Sequence, residues 1–338
     1  MTYTMKQIAN LNRDQCLKIA EVIGNLKPNP TFYEREYLTI KLKDEVKLRM
    51  NFFAVAICHQ TYKLHHPLLD LWGWDFIEHV FIKMAQQNSS LLNPEKVSLL
   101  STQQIAKELQ RWFSYNENSN DCTLDRIEER SQLIKDASES LIAICGGQLT
   151  GLITDSKAYL IRDGKGLYEV LQKIEAYSDP QRKKSTFLIK LLIDSGLLEI
   201  GDPENFIPIM DYHMQRVLMR MGCLEISDPA LYQILIARHP VTTDEPIRSL
   251  CIEAAKLIAI HSGHPLIRLN DFLWSLGRSC CNNTTLCKDH LCEKSPCTFN
   301  QIISLKSHQK CEFETACKGF EEDKYRKLWQ PVINTHYY

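Results

Sequence analysis

The sequence predicts an all-α protein, and three observations carry that expectation. Apolar residues recur at helical spacing along most of the chain. The interruptions fall at Pro, Gly and Asp-Pro turns, as at Ser178-Asp179-Pro180, Gly201-Asp202-Pro203, Asp228-Pro229 and Gly263-His264-Pro265. No series of alternating apolar and polar residues and no fixed-period repeat is present.

The 338 residues suffice for one large or two moderate domains with a real core. Hydrophobic residues make up 44% and charged residues 24%, which places the chain among ordinary globular proteins. The formal net charge of -1 excludes a bulk basic field, so any affinity for nucleic acid has to come from a local patch. The N-terminus lacks an apolar signal region and no run reaches the length of a membrane span. An intracellular protein, in cytoplasm, nucleoid or nucleus, with no membrane partner, is expected. Seven of thirteen cysteines lie between Cys280 and Cys317, a clustering that suggests metal more than disulfides. The scattered Cys16, Cys58, Cys122, Cys145, Cys223 and Cys251 fit buried apolar positions.

Residues 4–25 suggest a first helix, with Ile8, Leu11, Ile19, Val22 and Ile23 on one side and Pro28 and Pro30 ending it. A second helix is expected from Glu34 to Ile57. Cys58-His59-Gln60-Thr61 follows it. His59, Gln60 and, further on, Trp74 are candidates for a pocket that stacks and reads a flipped base. The plainer expectation for Trp72, Trp74 and Phe76 is core packing. His65 and His66, beside Pro67, suggest a solvated turn. A further helix runs to about Gln87. Helices at 101–115 and 123–145 flank the polar loop 116–121. Gly146-Gly147 lacks the Lys-Ser/Thr of a phosphate-binding loop and is expected to stop a helix, while Gly164 and Gly166 open the next one.

Two stretches carry chemistry. Lys183 and Lys184 fall in the first turn of an apolar helix, where the positive end of the helix dipole opposes a cation and favours a neutral amine. A solvated basic turn is the plainer alternative. Further on, Asp211 follows the extended segment around Pro208 and can cap a helix whose Met214, Val217, Leu218 and Met221 form one apolar face. Arg216 and Arg220 lie on another face of that helix, and Gly222 ends it. Downstream, Cys281-x5-Cys287-x4-Cys292-x4-Cys297 is the main candidate ligand set for a soft metal, with Cys280, Cys311 and Cys317 as further candidates. His290 or His308 can join if the metal is zinc.

Met210-Asp211-Tyr212-His213-Met214-Gln215-Arg216 through Arg220-Met221-Gly222 resembles the segment that carries the catalytic aspartate in the helix-hairpin-helix DNA glycosylases, the superfamily of endonuclease III and 8-oxoguanine DNA glycosylase. Lys184-Ser185-Thr186-Phe187-Leu188-Ile189-Lys190-Leu191 is similar to the helix that opens on the nucleophilic lysine in lyase-type members. The resemblance implies Lys184 as nucleophile, with Lys190 and then Lys183 as fallbacks. It also implies Asp211 as the carboxylate that stabilises an oxocarbenium-like transition state. Some members carry a [4Fe-4S] cluster after the aspartate helix, which implies such a cluster here, with zinc as the alternative. The cysteine spacing departs from the endonuclease III pattern, which is tighter in the middle. The glycine hairpin that grips DNA phosphates is missing, and Arg182-Lys183-Lys184 stands in its place.

The resemblance covers roughly residues 165–300. It implies a two-lobed helical glycosylase-like fold with a C-terminal Cys-rich metal-binding loop. The segments expected are an N-terminal helical lobe at 1–160, a catalytic region at 161–278 and a metal-binding tail at 279–338. The activity implied is excision of a modified or damaged base from double-stranded DNA, possible lyase action included. Arg182, Lys183, Arg216 and Arg220 are then candidate phosphate contacts. A glycosidase for a modified nucleoside or nucleotide and a non-enzymatic, zinc-stabilised interaction module are the alternatives.

Overall fold

The computed structural model describes residues 8–116, 118–305 and 307–338. The protein is mostly helical, as expected, and its strands are two short antiparallel pairs among the described residues. It divides into two compact units: residues 8–32 with Ile207–Asn334, and Tyr33–Phe206 with Thr335–Tyr338. These boundaries cross the three segments expected from sequence.

The first unit begins with a strand where a helix was expected. Ala9–Leu11 pairs antiparallel with Leu224–Ile226, and the helix starts only at Arg13. Asn12 explains the late start. Its side chain accepts from Gln15 N at 3.0 Å as an N-cap, and its own N–H donates to Cys223 O at 2.8 Å, which ties the preceding residues into the strand pair. The part of the expected helix before Ile8 lies outside the described residues. Within Arg13–Gly24, Cys16, Ile19, Ala20 and Ile23 form one buried face. It packs on Glu245–Ser262, which offers Cys251, Ala254, Ala255 and Ile258. The approach is close: a Cβ on Gly24 would sit 3.1 Å from Ser262 O.

Tyr212–Arg220 is the helix that the periodicity predicts, with Met214, Val217 and Leu218 buried. Each such side chain contributes about 1.5 to 3 kcal/mol on burial. The helix lies against Leu266–Arg278 at Gly277, where a Cβ would come within 2.7 Å of His213 O.

The second unit is built around Asp44–Ala56, whose Leu48, Phe52, Phe53 and Val55 are all buried. Trp74–Gln86, Ile127–Cys145 and Lys183–Asp194 pack against it. The single helix expected from Glu34 to Ile57 is broken. Glu36–Thr39 is a separate turn of helix, and Lys47 Nζ donates to Leu38 O at 2.5 Å at its end. Asp44 and Glu45 restart the helix, acidic residues in the turn where the dipole favours them.

Gly146 and Gly147 stop Ile127–Cys145 as expected. Both have positive φ, and their N–H groups donate back to Ile142 O and Leu141 O. Gly166 opens Leu167–Leu171. His65 and His66 form no solvated turn: they pair with Leu71–Trp72, His66 is buried, and the His65 ring stacks on Trp72 at 3.6 Å.

Candidate active site and metal centre

Lys184 lies in the first turn of Lys183–Asp194 and is fully buried in the second unit. Its Nζ donates to Ala56 O at 2.6 Å and lies 3.5 Å from Nδ1 of His59. Burial is the main cause that lowers its pKa to about 7. Lys183 and Arg130 push in the same direction, and Cys58 and Glu129 oppose. The amine is therefore neutral in a large fraction of molecules near pH 7, unlike an ordinary lysine.

The place is set by the end of Asp44–Ala56, which leaves carbonyls without helical partners. Arg130 takes two of those that follow, donating to Ile57 O and, at 3.0 Å, to His59 O. Its charge is balanced by Asp125 at 2.9 Å. His59 is buried, and burial together with Lys184 drives its pKa well down, so its imidazole is neutral. Its Nε2 makes no hydrogen bond among the described residues and lies 4.0 Å from Glu129 Oε2. The C-terminal residues close the same region. Arg126 donates to Thr335 O at 3.0 Å, and Gln60 N donates to Tyr338 O at 3.2 Å. Lys184 and His336 are near enough for the lysine to lower the pKa of the histidine, after the larger effect of burial.

The turn before Lys183 does without glycine. Arg182 adopts a left-handed φ of 58°, and the buried Asp179 accepts from Gln181 N at 3.0 Å and Lys183 N at 2.9 Å. The Arg182 guanidinium lies over the Tyr168 ring at 5.1 Å. Lys183 is buried, its Nζ 3.8 Å from Cys58 Sγ and 5.2 Å from the Phe187 ring. Lys190 is buried in an ion pair with Asp194. Gln60 accepts from Arg126 at 2.8 Å. Trp74 donates to Glu78 at 2.6 Å and packs edge-on against Tyr37 and Phe187, so it is held by the hydrophobic interior.

Asp211 belongs to the first unit and is the N-cap expected: Oδ1 accepts from Met214 N at 3.0 Å. Arg216 and Arg220, expected as phosphate contacts, are buried and internally engaged. Arg216 donates to Gly277 O at 2.6 Å and Cys281 O at 3.1 Å, and Arg220 to Leu328 O at 2.9 Å and Asn282 O at 2.7 Å. Both lie over Trp329, at 4.4 and 5.4 Å. They hold the tail against the Tyr212–Arg220 helix.

The tail contains a Cys3His group that can hold a metal ion. The ligand atoms of Cys280, Cys292, Cys297 and His308 lie within 4.8 Å of one another. Cys280 Sγ is 3.5 Å from Cys297 Sγ, 3.9 Å from Cys292 Sγ and 3.8 Å from His308 Nε2. Of the four main candidates from sequence, Cys292 and Cys297 are in this group, while Cys281 and Cys287 are not. Cys280 and His308 complete it. His290 is exposed and stands outside it.

The Asp-Pro sequence at Asp179 marks a turn ahead of a helix, though not its bonds to Gln181 N and Lys183 N, whereas Arg130 and His336 have no local signal. No family profile matches the chain, and no curated protein is significantly similar to it in sequence. No helix of the described residues is long and apolar enough to cross a membrane.

Proposed function

We propose that the protein is an N-glycosidase that uses Lys184 as an amine nucleophile to detach a modified or damaged base from DNA. One observation carries this reading: a buried lysine in the first turn of a helix, with a pKa of about 7, is the form of amine that attacks a sugar carbon without prior deprotonation by bulk base. In the reaction, Nζ forms a bond to C1′ as the base–sugar bond breaks. The departing base keeps the electron pair and takes up a proton. Loss of the remaining amine proton with opening of the sugar ring gives an imine, which water hydrolyses or which undergoes strand-cleaving elimination. The resemblance of its segment gives Asp211 the transition-state carboxylate role.

Borohydride reduction during turnover on a base-damaged duplex tests the nucleophile. Covalent trapping of DNA on Lys184, located by peptide mapping, is the expected result, and trapping on another lysine would move the assignment to that residue. A free modified nucleoside or nucleotide is the second substrate reading. It is favoured by the internal hydrogen bonds of Arg216 to Gly277 O and Cys281 O, which engage one of the four expected phosphate contacts. Release of base from a nucleoside monophosphate, with duplex binding that is weak at every salt concentration, would select it.

For the metal, we infer one zinc ion in the Cys3His group. Sulfur separations of 3.5 and 3.9 Å suit a tetrahedron around a single ion with Zn–S near 2.3 Å, and are tight for a cubane cluster. Such a closed site is structural.

A further inference from the structure

We propose that a basic cavity in the first unit, lined by the end of helix Pro229–Ala237 and by the loop that carries Asn283 and Lys288, binds a nucleoside diphosphate. None of its lining residues belongs to the Cys3His group, and the proposal does not depend on the glycosidase reading.

The cavity encloses about 530 Å³. Small-molecule sites span roughly 300–1,000 Å³, so the space suits a ligand well beyond a lone phosphate ion. Five cations line it, Arg220, Arg238, Lys288, Arg326 and Lys327, against one acid, Asp289. In a chain of net charge -1 that is a local concentration of one sign. The acid has a structural task, since its carboxylate accepts from Thr285 N at 2.7 Å. Two of the cations are committed as well. Arg220 donates to Leu328 O and Asn282 O, and Arg326 donates to Gly319 O at 2.7 Å and pairs with Asp323. Lys327 reaches the same Asp323 only at 4.0 Å. Arg238 and Lys288 form no ion pair among the described residues.

Arg238 is held ready for an anion. It ends its helix at a left-handed φ of 58°, and His239 N donates to Ile234 O at 3.0 Å, so that carbonyl is spent within the turn. The Arg238 guanidinium lies 3.7 Å over the Trp329 ring, which Arg216 and Arg220 also approach, at 4.4 and 5.4 Å. Its Nη1 donates to Asn283 Oδ1 at 2.8 Å. Stacking and this bond together fix the plane of the fork, and its remaining N–H groups have no partner among the described residues. Burial lowers the pKa of Arg238, the charge of Arg220 lowers it further, and Glu293 opposes. A bound anion relieves the repulsion between the two arginines.

The rest of the lining narrows the ligand class. Ile236 and Ala237 supply an apolar wall, and Gln233 and Asn283 supply amides beside it. An apolar wall with a few amides suits a base and sugar, whereas the cations suit phosphate oxygens. Arg238, Lys288 and Lys327, the three cations with the fewest internal ties, match the roughly three negative charges of a terminal diphosphate. Inorganic pyrophosphate shares the charge and lacks the part that the apolar wall covers.

Isothermal titration calorimetry of the full-length protein tests this with ADP as the probe, and with pyrophosphate and adenosine as its two parts. One ADP per chain is expected, with pyrophosphate binding more weakly and adenosine more weakly still. Arg238→Gln/Lys288→Gln should weaken ADP by about tenfold or more. Both side chains are exposed, and Lys288→Gln alone should weaken ADP in the same direction if the double variant is unstable. Lys184→Met should bind ADP as the wild type does. Absence of ADP binding, or equal affinity in the wild type and both variants, overturns the proposal. So does loss of binding in Lys184→Met alone, which would place the nucleotide at the glycosidase site. A single-stranded oligonucleotide that binds where ADP does not would give the cavity to a nucleic-acid backbone and overturn the nucleotide as its occupant.

Discussion

Lys184 Nζ and the carbonyl oxygen of Ala56 are 2.6 Å apart, and this contact fixes an amine at the end of the Asp44–Ala56 helix. A cation is favoured beside the negative end of a helix dipole, yet this amine is fully buried, and burial prevails in setting its pKa near 7. Lys184→Met should therefore abolish borohydride trapping while leaving the far-UV circular dichroism unchanged. Lys190→Met, which removes one partner of the buried pair with Asp194, should lower stability and spare trapping in the protein that stays folded. Trapping that survives Lys184→Met would exclude Lys184 as nucleophile.

The same pKa gives stability a pH dependence of definite sign. The folded amine titrates near 7 and the unfolded one near 10.5, so between these values the unfolded chain binds more protons. Stability should rise with pH across that window as the folded state is relieved of the buried charge. Below pH 7 the full cost of the ammonium remains. Lys184→Met should flatten the rise by on the order of a few kcal/mol between pH 7 and 10, read from urea unfolding at each pH. An equal slope in both proteins would show that Lys184 titrates as an ordinary lysine.

Asp211 has a capping role that can be separated from chemistry. Asn caps a helix as well as Asp does, through a side-chain oxygen in the same position. Asp211→Ala should cost about 1 kcal/mol of stability by freeing Met214 N. Asp211→Asn should keep that stability and lose turnover, because the amide lacks the charge that steadies an oxocarbenium ion. Thermal melts beside rate measurements give both quantities. An Asn variant with full activity would confine Asp211 to the cap.

The parts legible in the sequence are those encoded locally. Asp211 announces its cap through the helical spacing that follows it, Lys184 its first-turn position through the Asp-Pro turn before it, and Gly146-Gly147 the end of a helix. Long-range partners leave no such mark. Arg130 meets Ile57 and His59 some seventy positions away, at |i−j| of 73 and 71, and nothing around residue 130 distinguishes it from a surface arginine. Arg216 and Arg220 differ from expectation for the same reason: a charged face is normally solvated, and only the fold shows that Gly277, Cys281 and Leu328 supply carbonyls for it. Cysteine spacing suggests metal but cannot show that Cys280 joins Cys292, Cys297 and His308 while its neighbour Cys281 stands outside that group.

Arg216→Ala should consequently behave as a core mutation. It strips donors from Gly277 O and Cys281 O in a buried place, at a cost of about 3 kcal/mol or more. A large fall in melting temperature is expected. A variant with unchanged melting temperature and a weaker, less salt-dependent affinity for DNA would return Arg216 to the surface role.

Metal removal separates the two histidines, His290 and His308, that the sequence offers as zinc ligands. His308 Nε2 is 3.8 Å from Cys280 Sγ, whereas His290 is exposed and outside the group. If the Cys3His group holds its ion in the folded chain only, binding free energy is also folding free energy. A strong chelator should then lower the melting temperature, and restored zinc should raise it again. His308→Ala should weaken metal retention while His290→Ala leaves it unchanged. Cys297→Ser should go further than His308→Ala, because a lost thiolate removes both a bond and a charge that the ion neutralises. Equal effects of the two histidine variants would mean that His308 is not a ligand, and that the fourth position is filled from elsewhere.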